Sequence, residues 1–242
     1  MRRDYRRWYS PRLDRDMELL IFGHAGAKVL MFPTRDGKFW EYEKLNIVAS
    51  LADKVNAGQL QLYCIEGLAQ ETFYDSWRHP ADRIRRHAAF EDYILNEVLP
   101  LMAQTNSHDC TIALGCSLGA FQAASLALRH PHLFRKLVAF SGRYDLTMKV
   151  DGFNDLFDGY YNEDIYFHTP THFLPGLDSG WRLDKLRQLE IVLVIGRTDP
   201  FLDNNLYLSR LLGEKHVHHQ LHFWDGRAHR AGAWREMAPL YL

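Results

Sequence analysis

The feature that most constrains this chain is a five-residue run, Gly115-Cys116-Ser117-Leu118-Gly119, set between stretches of opposite periodicity. Before it, Cys110-Thr-Ile-Ala-Leu114 is an apolar run of strand length. After it, Ala120 to Arg129 is Ala-rich, helix-forming and stopped by Pro131. A chain that passes from a buried strand to a helix within so few residues must turn sharply. Small residues at both ends of G-x-S-x-G allow that turn, and a shuffled chain of this composition would contain only about 0.04 such matches. The turn lifts the central serine to the carboxyl end of a sheet, beside the N-terminus of the following helix. The competing reading is a Gly-Ser turn that carries no chemistry.

The rest of the chain agrees with a sheet built by crossovers. Strand-like runs fall at Met17–Phe22, Lys28–Phe32, Leu60–Ile65, Lys136–Ser141, Ile191–Ile195 and Val217–Trp224. Helical recurrence is read over about Trp40–Val55, Pro80–Gln104, Leu202–Leu212 and Ala233–Leu242. Gly23-His24-Ala25-Gly26 reads as a hairpin loop joining the first two of those strands. The N-terminal Arg-Arg-Asp-Tyr-Arg-Arg-Trp-Tyr stretch alternates charge with aromatics, which suits an edge strand with one wet face rather than a nucleic-acid or membrane-binding arm. From Arg143 to about Leu189 the periodicity fails, as in a lid or binding loop. The expectation is one α/β domain over residues 1–242, with a mostly parallel central sheet, helices on both faces and an insertion at about 143–189.

Composition removes several function classes. Among 242 residues, 29 Lys and Arg balance 30 Asp and Glu, for a formal net charge of −1. No basic field is present to hold nucleic acid, so no nucleic-acid partner is expected. Apolar runs such as Ile191–Ile195 are far too short to cross a bilayer, so no membrane partner is expected either. Three scattered cysteines, Cys64, Cys110 and Cys116, argue against a disulfide scaffold. Without an apolar segment behind the basic N-terminus, the expected location is the cytoplasm. The His216-Val-His-His-Gln-Leu-His222 run invites a metal reading. His218 and His222 share a strand face but stand four residues apart, without a Cys or carboxylate cluster, so neither metal nor other cofactor is expected.

A serine nucleophile needs a general base, itself oriented by a carboxylate, and for this kind of turn the chain order is Ser, then Asp or Glu, then His. Asp199 lies just past the strand that ends at Ile195, where an orienting acid belongs; Asp203, within the following helix-like stretch, ranks second. His229 lies in the loop after the last strand, whereas His222 lies within that strand and is poorly placed to reach Ser117. An oxyanion hole needs two backbone N–H groups, one from Leu118 and one from the loop after the strand that ends at Phe32. Pro33 has no N–H, which leaves Thr34, Arg35 or Asp36, with Arg35 favoured.

Taken together, the chain resembles the putative-esterase family of α/β-hydrolases, which includes the esterase D-like enzymes and the mycolyltransferases. The resemblance runs over nearly the full length. It is carried by Arg7-Trp-Tyr-Ser-Pro11, Met17-Glu-Leu-Leu20, Phe32-Pro-Thr34, Gly37-Lys-Phe-Trp-Glu-Tyr42, Gly115–Gly119, Phe140-Ser-Gly142, Tyr144-Asp-Leu146 and Asp199 to Asn205. It implies the α/β-hydrolase fold, a Ser117–Asp199–His229 triad and hydrolysis of a small-molecule carboxylic ester. The sequence departs from many relatives after His229: an Asp-Trp-Pro-Trp-Trp-like run is replaced by Arg230-Ala-Gly-Ala-Trp234, which predicts a reduced aromatic wall. Two other readings stand beside ester hydrolysis: transfer of the acyl group to another acceptor, and a non-catalytic hydrolase-fold binding protein. Self-association into a homo-oligomer stays open. Phe153, Phe157, Tyr160, Tyr161, Phe167 and Trp181 in the insertion could line an acyl or aryl pocket or pack the insertion onto the sheet.

Overall fold

The computed structural model describes residues 1–150 and 152–242. Eight strands form one sheet: β1 (Arg3–Ser10), β2 (Arg15–Phe22), β3 (Ala27–Phe32), β4 (Leu60–Ile65), β5 (Thr111–Cys116), β6 (Lys136–Phe140), β7 (Glu190–Gly196) and β8 (His219–Trp224). Their spatial order is β1-β2-β4-β3-β5-β6-β7-β8. Strands from β4 through β8 pair in parallel, while β1 and β2 are antiparallel additions at one edge.

The helices are α1 (Glu41–Lys44), α2 (Ile47–Ser50), α3 (Ala52–Asn56), α4 (Pro80–Tyr93), α5 (Leu99–Thr105), α6 (Leu118–Arg129), α7 (Glu163–His168), α8 (Pro170–Phe173), α9 (Trp181–Leu186), α10 (Leu202–Glu214) and α11 (Ala231–Tyr241). A π-helical turn, Ile94–Val98, joins α4 to α5, so the helical recurrence from Pro80 to Gln104 is one nearly continuous rod. Alternation along the central strands divides the core. Leu30, Ala113, Leu137 and Leu193 face a cluster containing residues of α4, α6 and α10, while Val29, Met31, Leu114, Val138 and Val192 face α1–α3 and α11. Both faces are covered, as expected for strands that read as continuous apolar runs.

Three sequence expectations are corrected. The first concerns the hairpin between β2 and β3, which does not form: β4 lies between them, antiparallel to β2 and parallel to β3. The Gly23–Gly26 loop instead spans the width of an intervening strand. Gly26, at φ +91°, sits so close to β4's approach that a Cβ there would lie 2.2 Å from the Gln59 carbonyl. The loop's glycines signal this close approach, not a two-strand turn. Secondly, the helix expected over Trp40–Val55 is three short pieces, interrupted where Asn46 takes a left-handed φ of +57°. The third lies in the insertion, which contains α7, α8 and α9. Each has six residues or fewer, too short to display a 3.6-residue period. Beginning at Arg3, the N-terminal stretch forms the edge strand that its alternation predicted, with most of β1 open to solvent.

Candidate active site

Ser117 occupies the tight turn between β5 and α6, with φ +56° and ψ −119°. An L-residue adopts this conformation at a cost of about 1–3 kcal/mol, so the surroundings must enforce it. They do so through the two glycines. A Cβ on Gly115 would lie 2.0 Å from the Gly119 carbonyl oxygen, and a Cβ on Gly119 would lie 2.1 Å from that of Phe32. Glycine at 119 therefore allows the start of α6 to rest directly on the end of β3. That contact brings the loop after β3 alongside the serine.

This loop is held by two side chains that the sequence argument did not single out. The Thr34 N–H donates to Glu41 Oε2 at 3.1 Å, and the Thr34 hydroxyl donates to Glu41 Oε1. The Tyr42 hydroxyl donates to the Phe32 carbonyl at 2.7 Å. Glu41 is buried, and desolvation raises its pKa against the opposing effect of the Thr34 hydrogen bonds. Because the Thr34 N–H is engaged, it is removed as an oxyanion donor. The N–H groups of Arg35, Asp36 and Leu118 have no acceptor among the described residues.

The candidate acid and base, Asp199 and His229, come from adjacent loops at the carboxyl edge. Gly196 ends β7, and a Cβ there would lie 2.0 Å from the Arg227 carbonyl, so the loop carrying His229 closes directly over this strand end. Backbone hydrogen bonds from Arg197 to Trp224 (2.8 Å) and from Thr198 to Gly226 (3.0 Å) join the two loops. Asp199 Oδ2 lies 2.9 Å from His229 Nδ1, and His229 Nε2 lies 2.9 Å from Ser117 Oγ. The second carboxylate oxygen, Oδ1, accepts the Phe201 N–H at 3.0 Å. A carboxylate can only accept, so Nδ1 carries the ring proton and Nε2 offers its lone pair to the serine hydroxyl. The Asp199 side chain is fully buried and that of His229 is 12% exposed. The imidazole packs between Phe201 and Trp234, at centroid distances of 6.0 and 5.6 Å. Trp234 Nε1 donates to Ser141 Oγ at 3.1 Å, which fixes the indole. Despite the shortened aromatic run after His229, an aromatic wall is retained through Trp234.

Asp203 is exposed on α10 and makes no contact with the histidine. The histidines of β8 are engaged elsewhere: His219 with Ser209 and His222 with Gln220. Among the described residues, no group of three or more His, Cys, Asp or Glu side chains could hold a metal ion. Cys64 and Cys116 are buried, and desolvation pushes both thiols well up from their ordinary value.

Ser117 and His229 open on a cavity of about 300 Å³. Of the six insertion aromatics, only Phe153 lines it. Phe157 packs with Phe73 at 6.0 Å and Tyr160 with His79 at 5.0 Å, whereas Tyr161, Phe167 and Trp181 are exposed. The insertion's other contributions to the cavity are Leu146, Leu156 and a buried arginine, Arg143, absent from the sequence reading of the site.

Comparison with solved structures places the whole chain on a known fold. A ferulic acid esterase superposes with a TM-score of 0.73 at 16% identity, covering 99% of this chain and 95% of its own. An S-formylglutathione hydrolase from Agrobacterium tumefaciens gives 0.74 at 14% identity, covering 98% and 91%. Another from Staphylococcus aureus gives 0.70 at 16%, covering 98% and 94%. No curated protein gives a sequence match. No helix is long and apolar enough to cross a membrane among the described residues. The family model described as Putative esterase matches residues 34–237, from the loop after β3 to the last helix. With the α/β-hydrolase fold and a match over most of its length, the chain belongs to the Putative esterase family and is a carboxylic ester hydrolase.

Proposed function

We propose that this esterase works through an acyl-enzyme formed on Ser117, with His229 as general base and acid and Asp199 as its orienting carboxylate. The observation that carries this reading is the unbroken chain of two 2.9 Å contacts from Asp199 through His229 to Ser117, ending at a cavity large enough for a small-molecule ester. His229 Nε2 takes the hydroxyl proton as Oγ attacks the ester carbonyl carbon. Negative charge moves to the carbonyl oxygen, held by the N–H groups of Leu118 and Arg35. Each such donor is worth about 10²–10³ in kcat. Collapse of the adduct breaks the C–O bond to the alcohol, which leaves with the proton from His229. A water molecule then gives a proton to His229 and attacks the acyl carbon; the bond to Ser117 Oγ breaks, Oγ takes that proton back from His229, and the acid is released.

The test pairs labelling with turnover. A fluorophosphonate is expected to attach once per chain in the native protein and not at all in Ser117→Ala. The variant should lose about 10⁶ in kcat on 4-nitrophenyl acetate. EDTA should leave the native rate unchanged. Substantial turnover by Ser117→Ala would exclude the acyl-enzyme at this residue.

A further inference from the structure

Arg143 stands at the carboxyl end of β6, two residues after Ser141, and lines the same cavity as Ser117. It is only 6% exposed. Its Nε donates to the Asp145 carbonyl at 3.2 Å, and its Nη2 to the carbonyls of Leu146 (3.3 Å), Asn154 (2.8 Å) and Met148. These dipoles fix the plane of the guanidinium without neutralising it. Phe201, which also packs on His229, lies under the group at 5.7 Å. Among the described residues, no carboxylate forms an ion pair with Arg143. The two nearby acids are committed elsewhere: Asp145 to Thr147 and His172, Asp155 to the N–H groups of Phe157 and Gly159. Burial pulls the guanidinium below its ordinary pKa, against the opposing effects of Tyr74, Asp145 and Asp155. Nη1 has no acceptor among the described residues, and Arg143 lines the cavity.

Arg35 and Arg227 also line the cavity, both exposed; among the described residues neither forms an ion pair, and the lining carries a single carboxylate, Asp36. Three guanidiniums against one carboxylate is a local excess in a chain whose formal net charge is −1. A chain with a neutral overall field has concentrated positive charge beside its nucleophile.

We infer that the cavity selects esters that carry an anionic group of the carboxylate class, received by the free edge of Arg143 with Arg35 and Arg227 at the entrance. A planar guanidinium already held by backbone carbonyls offers paired donors to such a group with little ordering cost. The inference rests on the acyl-enzyme reading and adds a substrate class to it.

The test uses two matched pairs of esters. Mono(4-nitrophenyl) glutarate against 4-nitrophenyl pentanoate puts the charge on the acyl side. 4-Acetoxybenzoate against methyl 4-acetoxybenzoate puts it on the alcohol side. In the native enzyme the charged member of at least one pair should have the higher kcat/KM by about ten- to a hundredfold, through KM. That ratio should shrink in 0.5 M NaCl. Arg143→Met should collapse it towards one, and Arg227→Gln, at an exposed position where the backbone contact with Gly196 is kept, should lower it severalfold. A purely structural role for Arg143 would lower both members of a pair alike and leave their ratio unchanged. Neutral members preferred in both pairs, or a ratio indifferent to both variants, would overturn the anionic subsite while leaving the esterase mechanism standing. Failure to hydrolyse any of the four esters would instead remove the mechanism on which the subsite depends.

Discussion

Asp199→Asn tests the site at the point where its geometry is most demanding. Both carboxylate oxygens are in use, Oδ2 with His229 and Oδ1 with the Phe201 N–H. An amide supplies only one acceptor, so two orientations compete. With Nδ2 towards His229, the ring must accept at Nδ1 and carry its proton on Nε2, which then cannot receive the proton of Ser117. With the amide oxygen towards His229, the productive tautomer survives, but Nδ2 faces the buried Phe201 N–H. That mismatch costs about 1–3 kcal/mol. The productive arrangement is therefore about ten- to a hundredfold rarer than in the native enzyme. The amide also lacks the charge that stabilises the imidazolium formed during attack, and this loss accounts for the remainder of a total near 10⁴ in kcat, the size of the effect in the corresponding trypsin variant. The assay is steady-state hydrolysis of 4-nitrophenyl acetate, with thermal unfolding to show that the fold is retained. Asp203→Asn, on the exposed face of α10, serves as the control and should retain native turnover. If Asp199→Asn keeps more than a tenth of native kcat, or if Asp203→Asn is the crippled variant, the assignment of the acid is wrong.

What the sequence disclosed, and what it concealed, follows from the range of the interactions involved. The turn at Ser117 is legible because every requirement falls within a few residues: an apolar strand, two glycines and a helix former. Asp199 and His229 are nearly as legible as candidates, since one follows the apolar strand β7 and the other lies in the loop after β8, both at the carboxyl edge where the topology assembles its loops. The choice of neighbour for β2 is different in kind. Pairing with β4 rather than β3 is decided by a segment that begins nearly forty residues later, and the Gly23–Gly26 loop has the same composition in either case. Glu41 was concealed for a related reason. An acid before a tyrosine in a short helix reads as a solvated residue until the fold turns it back onto Thr34. Arg143 depends on even more of the chain. Its burial follows from carbonyls spread over Asp145 to Asn154, in a stretch without periodicity. Aromatic content of the insertion was a poor guide to the cavity, because most of those rings pack the insertion or face solvent, while Tyr74, Phe201 and Trp234 of the lining come from outside it.

Three further perturbations probe the parts of the fold that hold the site. Gly119→Ala drives a Cβ into the Phe32 and Pro33 carbonyls; we expect a stability loss of about 1–3 kcal/mol and, from displacing the loop after β3 relative to Ser117, about a hundredfold in kcat, whereas native kinetics would refute the packing argument. Glu41→Gln leaves one of the two Thr34 donors facing an amide nitrogen, so stability should fall by about 1–2 kcal/mol and turnover should fall with it; unchanged unfolding midpoints would show that the clamp is dispensable. The last concerns His87, whose two ring nitrogens have no partner among the described residues and which is packed against Phe73, Phe121 and His168. Burial lowers its pKa to about 3, so the folded protein keeps this ring neutral at pH values where the unfolded chain protonates it near 6.5. The folded pKa is depressed, so the full stability is present above about pH 6.5 and is lost progressively towards pH 3, at up to about 1.4 kcal/mol per pH unit. Glu91, held down at about 2 chiefly by His130 and Arg129 against its own desolvation, adds a loss of the same sign below the ordinary carboxylate range. Urea midpoints measured between pH 7.5 and 5 should therefore show a loss of about 2 kcal/mol from His87. His168 is shifted in the same direction by burial, so His87→Phe should reduce the slope without abolishing it. A native midpoint that stays level across this interval, or a His87→Phe slope as steep as the native one, would mean that this ring is not the proton-linked group.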